Sequence, residues 1–222
     1  GDSHVLECYA FTCSDNGVAI SGWTAGASNT LRIGAAAGEE HGGVWGDGFV
    51  LDVGDSICIS LEAGLDYVTI EDIEVKSSWS SSNPIVSAGA ACQSIMFRNL
   101  LLSKYTNAGG GIFQSGSGSG DIENCVFVNL ISLSGTGFSS NSPTNIRNCT
   151  AIGGGDGFAG TGKNNTVPVT NCVSYGAYFP FTGSLSGDYN ASDDTSAPGA
   201  NSVHSITSAA FKDYAGENYR PA

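Results

Sequence analysis

Basic residues are scarce in this chain: eight Lys and Arg stand against 21 Asp and Glu among 222 residues, a formal net charge of −13. A surface of that sign repels nucleic acid, and it offers no cationic groove to a polyanionic substrate. Charged residues of both signs make up only 13%, and Met occurs once. The Glu/Lys/Leu/Ala-rich stretches that long helices favour are missing, which argues against a helical bundle. No run approaches the roughly 18 consecutive apolar residues of a membrane-spanning helix, so no membrane partner is expected. The opening Gly1-Asp2-Ser3-His4 lacks the basic and then apolar start of a signal peptide.

Several chemical motifs are missing as well. Neither the phosphate-binding G-x-x-x-x-G-K-[ST] nor the nucleophile elbow G-x-S-x-G occurs. No D-x-D-x-D-G calcium loop is present, so no cofactor is expected, and Ca²⁺ is retained only because carboxylates are plentiful. His4, His41 and His204 are scattered and match no ligand spacing. The seven cysteines show no C-x-x-C spacing, which removes the usual zinc and thioredoxin-like signals. An odd count leaves at least one thiol unpaired within a single chain. Cys8 and Cys13 are close enough in sequence to pair locally.

What the chain does contain is glycine, 32 residues of it, and a repeat. Ile122-Glu123-Asn124-Cys125-Val126-Phe127 returns as Ile146-Arg147-Asn148-Cys149-Thr150-Ala151 and as Val169-Thr170-Asn171-Cys172-Val173-Ser174. The Asn positions lie 24 and 23 residues apart, and Asn99 and Asp72 precede them at steps of 25 and 27. A period in the twenties marks a solenoid. One apolar column is Ile70, Phe97, Ile122, Ile146 and Val169; a second is Ile73, Leu100, Cys125, Cys149 and Cys172; a third is Val75, Leu102, Phe127, Ala151 and Ser174. Alternation by two after the polar residue is a half-buried strand. The polar residue itself marks a bend, where Asn accepts the left-handed conformation and satisfies backbone groups. Asp72, Asn99, Asn124, Asn148 and Asn171 are therefore expected to form a structural ladder, with Cys125, Cys149 and Cys172 stacked beside it. Neighbouring strands lie about 4.8 Å apart, so a disulfide between two of these thiols is geometrically conceivable. A fourth column is expected at Val86, Phe113, Phe138, Phe158 and Phe181.

This pattern resembles the right-handed parallel β-helix of the pectin-lyase-like superfamily over Leu51 to Phe181. Ser21 to Leu51 is similar to the opening of such proteins in phage and environmental sequences. The ending Phe211-Lys212-Asp213 and Asn218-Tyr219-Arg220-Pro221 is similar to the close of bacterial and phage β-helix proteins. The resemblance implies an all-β fold, and that fold hosts lyases, hydrolases and non-catalytic virion proteins alike. Glycoside hydrolases of this kind carry Asn-Thr-Asp, Asp-Asp, Gly-His-Gly and Arg-Ile-Lys on consecutive coils. Here Gly-His-Gly and Arg-Ile-Lys are missing, and Asp193-Asp194 falls in a loop beyond the repeats. Pectate lyases need acidic Ca²⁺ ligands and a basic residue on one face. Glu71, Glu74 and Glu123 face outward by parity, with Lys76, Arg98 and Arg147 nearby. The alternation Glu71, Arg98, Glu123, Arg147 down one column is also what a structural ion-pair ladder requires.

The expected organisation is one domain of seven to eight coils: irregular entry coils over 1–50, regular repeats over 51–182 and a cap over 183–222. Within the entry, Gly38-Glu39-Glu40-His41-Gly42-Gly43-Val44-Trp45-Gly46-Asp47-Gly48 reads as a solvated turn closing over the first coil. Aromatic rings stack on sugar faces and carboxylates take sugar hydroxyls. Trp45, Trp79, Tyr105, Glu39 and Glu40 are accordingly the carbohydrate-binding candidates; no catalytic or metal-binding residue is assigned. Two functions are expected from different classes. The first is a non-catalytic structural or adhesive protein, such as a virion fibre, spike or capsid-decoration protein or an extracellular surface protein, assembling with virion or surface proteins or as a homo-oligomer. A trimer follows from the virion resemblance alone. The second is a polysaccharide lyase or glycoside hydrolase with a cleft along the side of the helix.

Overall fold

The computed structural model describes residues 3–9, 12–15, 17–54, 57–78, 83–104, 110–115, 118–129, 135–141, 143–162, 165–213 and 218–221. Trp79 and Tyr105 lie outside them. The chain is all-β: three parallel sheets wind into a solenoid of about six turns, and the only helix among the described residues is the 3₁₀ turn Ser208–Ala210. The first sheet contains His4–Cys8, Leu31–Ala35, Val68–Glu71, Ile95–Arg98, Gly120–Glu123, Thr144–Arg147, Val167–Thr170 and Leu185–Ser186 in spatial order. The second contains Thr12–Asp15, Val50–Val53, Glu74–Ser77, Leu101–Lys104, Val126–Asn129, Thr150–Gly153, Val173–Tyr175 and Ala191–Ser192. The third runs from Val18–Ile20 through Ile59–Leu61, Val86–Ala88, Ile112–Gln114, Thr136–Ser140 and Asp156–Gly160 to Phe179–Gly183. Seven to eight coils were expected. In the first round the core-column residue Leu6 is 54% exposed, and the last round keeps only two-residue strands, so about six turns are fully built.

Each coil turns from the first sheet to the second at one residue. Asp72, Asn99, Asn124, Asn148 and Asn171 all have φ between 51° and 60°, the left-handed region that Asn and Asp tolerate best. Their side chains form a chain of hydrogen bonds along the axis. The Asn171 amide donates to Asn148 at 2.7 Å, Asn148 to Asn124 at 3.1 Å, Asn124 to Asn99 at 3.2 Å and Asn99 to Asp72 at 2.8 Å. Every donor points toward the N-terminus, and the row ends on a carboxylate that only accepts.

The core fills the triangle between the sheets. Ile70, Phe97, Ile122, Ile146 and Val169 are in direct register and fully buried, as are Val75, Leu102, Phe127, Ala151 and Ser174. The fourth column differs from expectation in one coil. Val86 pairs with Ile112, and Ile112 with Phe138, so Ile112 is the core residue and Phe113 stands half-buried on the outer side. From Phe138 onward the column is aromatic. Phe138 stacks on Phe158 at 5.2 Å and 16°, and Phe158 on Phe181 at 5.0 Å and 13°.

Cys125, Cys149 and Cys172 are buried and not disulfide-bonded, and so are Cys58 and Cys92. The Cys149 thiol donates to the carbonyls of Arg147 and Ile122, and Cys172 repeats this one coil on with Thr170 and Ile146. Burial pushes the Cys58 thiol up to about 12, and burial raises Cys149 and Cys172 well above the ordinary thiol value. Because all five are shut away from solvent, these cysteines are expected to react with an aromatic disulfide reagent at pH 8 only after denaturation. Prompt modification of more than two of the seven thiols in the native protein would contradict this placement.

The C-terminal part does two things. Asn190 closes the open end: its amide donates to the carbonyls of Val169 and Pro198, and its oxygen accepts from the Cys172 amide. Ala197 enters the core there. Beyond it, the chain returns along the outside of the second sheet, where Phe211 packs edge-on against Tyr175 at 5.5 Å.

Candidate functional site

Outward side chains are where a solenoid meets its surroundings. The first sheet presents two outward rows. Gly34, Glu71, Arg98, Glu123, Arg147 and Thr170 are in register in one, and Arg32, Thr69, Met96, Asp121 and Asn145 in the other. Parity placed Glu71 outward, which describes its face but not its environment. Glu71 is only 1% exposed, because Arg32 and Arg98 close over it from both sides, each donating Nε–H to one carboxylate oxygen. Arg32 belongs to the other row and reaches across because its neighbour in the Glu71 row is Gly34. A Cβ at Gly34 would sit 2.9 Å from Glu71 Cγ and 3.3 Å from the Arg32 guanidinium. That glycine is the sequence signal for the triad, because without it the outward parity of Arg32 places its side chain in the neighbouring row.

The row is thus two separate groups, not one continuous ladder. Arg147 forms the second group, donating to Glu123 and, at 3.3 Å, to Asp121, which also accepts from the Asn145 amide at 2.8 Å. A shallow depression of ≈ 360 Å³ lies beside this group, lined by Ser94, Met96, Ser119, Asp121, Pro143 and Asn145.

Glu71 links pH to stability. Burial raises its carboxyl, and hydrogen bonds from Arg98 and then Arg32 more than reverse that, holding it below the ordinary value. The unfolded chain therefore binds this proton more tightly than the folded one. The contribution is fully present above the ordinary carboxylate range near ~4.3 and is lost as pH falls through the depressed folded value. Denaturant midpoints of Glu71→Gln, measured against pH, are expected to fall less steeply below about pH 4.5 than those of the parent. Parallel curves would assign the acid sensitivity elsewhere.

The second sheet's outer face is covered by the chain's own segments. The glycine-rich loop expected to close over the first coil instead lies along this flank. His41 is buried: its Nδ1 accepts from the Gly43 amide at 2.8 Å, which puts the ring proton on Nε2, and Nε2–H donates to the Asn99 carbonyl at 2.6 Å. The Gly46 amide donates to Glu74 Oε2 at 2.6 Å, and Lys76 Nζ lies 2.7 Å from Oε1. Glu74 is outward by parity yet wholly buried, because the loop sits on it. Trp45 packs on the apolar cluster of Val128, Ile152 and Phe211.

Of the carbohydrate-binding candidates, Trp45 is half-buried in that cluster, and Glu40 is exposed and turns back to accept from the Gly38 amide at 2.9 Å. Glu39 is half-buried in the same loop; Trp79 and Tyr105 lie outside the described residues. Asp193 and Asp194 shape the cap loop: Asp193 accepts from the Gly176 amide at 2.7 Å, and Asp194 from the Ser196 amide at 2.8 Å and hydroxyl at 2.6 Å. Among the described residues no three His, Cys, Asp or Glu side chains are grouped as metal ligands would be. No protein-family profile matches the chain, and no curated protein or solved structure is significantly similar to it.

Proposed function

We propose that this chain is a non-catalytic structural or adhesive module, a stiff β-solenoid element of a virion or of an extracellular surface assembly. The observation that carries this reading is how the outward ionisable groups are engaged. Glu71, Arg32 and Arg98 bind one another across three coils, Arg147 binds Glu123 and Asp121, and Glu74 is closed beneath the loop of His41 and Gly46. An acid/base pair or a Ca²⁺ site needs carboxylates presented to a substrate. Here Glu71, Glu123 and Asp121 are directed to arginines of neighbouring coils, and Glu74 to the chain's own loop and Lys76.

Polysaccharide cleavage is the competing reading, and an activity screen separates the two. Purified protein is incubated with acidic and neutral polysaccharides, with and without Ca²⁺, and new reducing ends and unsaturated ends are measured. No release above a heat-denatured control is expected. Sustained release that is lost in Glu123→Gln or Asp121→Asn would overturn the structural reading.

A further inference from the structure

The third sheet differs from the other two in its charge. Its strands contain no Lys or Arg, and Asp156 is their only acidic residue. The ion pairs of the described residues engage Arg32, Lys76, Arg98 and Arg147, and none reaches Asp156. It is met instead by a hydroxyl: Thr136, its register partner in one neighbouring coil, donates to Oδ2 at 3.1 Å. In the other neighbouring coil Asp156 registers with Phe179. Tyr178 precedes Phe179, and both are held in the regular stack, their amides donating to the carbonyls of Gly154 at 3.1 Å and Gly155 at 2.7 Å. Glycines therefore stand where side chains of the adjoining coil would cover the rings. Tyr178 is 63% exposed and Phe179 53%, and the rings meet edge to face, 4.5 Å apart at 84°. Single exposed aromatics are ordinary. Two at a right angle, beside a carboxylate that no basic group neutralises, form a corner with two π faces and a negative charge.

We propose that this corner binds an alkylated ammonium ion, whose methyl groups rest on the rings of Tyr178 and Phe179 while its charge is answered by Asp156. The face of an aromatic ring is negative and its edge positive, so a cation is drawn to the faces. Two perpendicular faces suit a compact, rounded head group. A flat sugar ring needs one broad face, and here the edge-on neighbour stands across it. The carboxylate adds what an apolar pair lacks, a preference for positive charge. The rest of the chain, at −13, draws cations toward the surface and repels anions.

The test does not depend on the structural role proposed above. Choline is titrated into isotope-labelled protein at low salt and followed by backbone amide chemical shifts. Saturable shifts confined to Asp156, Tyr178, Phe179 and their neighbours are expected, with a dissociation constant on the order of 10 mM. The neutral isostere of choline, with a tert-butyl group in place of the trimethylammonium, is expected to bind about fivefold more weakly. Asp156→Asn and Tyr178→Ala are each expected to weaken choline binding about two- to fivefold, with unchanged circular dichroism spectra. If Tyr178→Ala does not fold, Tyr178→Leu keeps an apolar side chain without a π face. Added salt weakens binding in the parent and does so less in Asp156→Asn. Equal binding of the isostere, shifts elsewhere in the chain, or no shift at about tenfold above the expected constant overturns the inference. So does a neutral sugar that binds this corner better than choline, or a self-association that Tyr178→Ala abolishes, since either would give the rings a different occupant.

Discussion

Replacing Phe158 by Ala is expected to lower stability by about 4 kcal/mol and the thermal midpoint by roughly 10 °C. Phe158 is fully buried and is the middle ring of the Phe138–Phe158–Phe181 stack. Its removal leaves a cavity that the backbone has little freedom to close, since strands on both sides are fixed in register: Phe158 pairs with Phe138 on one side and Phe181 on the other. The loss combines the transfer of an aromatic ring to water with the contacts that its two neighbours forfeit. Phe158→Leu keeps most of the volume and is expected to cost about 1–2 kcal/mol. An Ala variant within 1 kcal/mol of the parent would mean that the coils shift to fill the gap.

The second large effect is at the bend. Asn148→Ala removes the amide that donates to Asn124 and the oxygen that accepts from Asn171, and it forces Ala to φ 54°. Left-handed backbone costs a residue with a Cβ about 1 kcal/mol, and two hydrogen bonds at an exposed edge contribute roughly 0.5–1 kcal/mol each, so about 2–3 kcal/mol is expected in all. Asn148→Gly loses the same hydrogen bonds without the left-handed strain. Denaturant midpoints should rank parent, Gly, Ala in falling order. Equal losses for Gly and Ala would show that conformation is not what selects Asn here.

The solenoid was legible in the sequence because each coil repeats one local rule, a left-handed polar residue followed by alternation. Asn124, Asn148 and Asn171 announce it almost without variation. The Phe113 register was not legible, because Ile112 and Phe113 are adjacent and both apolar, and the length of the preceding turn decides which one points inward. Nor was the burial of Glu71 and Glu74. Parity fixes the face of a strand, but what lies on that face comes from elsewhere in the chain: Arg32 reaching over Gly34, and the loop of His41 and Gly46 folding back along the second sheet. The likeness of Val128 and Ile152 to ordinary outward strand positions hid a second small core, which forms only because Trp45 and Phe211 arrive from opposite ends of the sequence.

A structural module must hold its coils together as one body, and the ladders that run from Asp72 to Asn171 and from Phe138 to Phe181 provide that continuity. Solenoids can instead open coil by coil when interfaces between repeats are weak. Native-state hydrogen exchange measures which of these holds. Strand amides from Leu31–Ala35 to Phe179–Gly183 are expected to exchange with one common free energy that equals global unfolding. Stepwise protection, with the coils around Asn124 opening well below the global value, would contradict a stiff solenoid and with it the structural role.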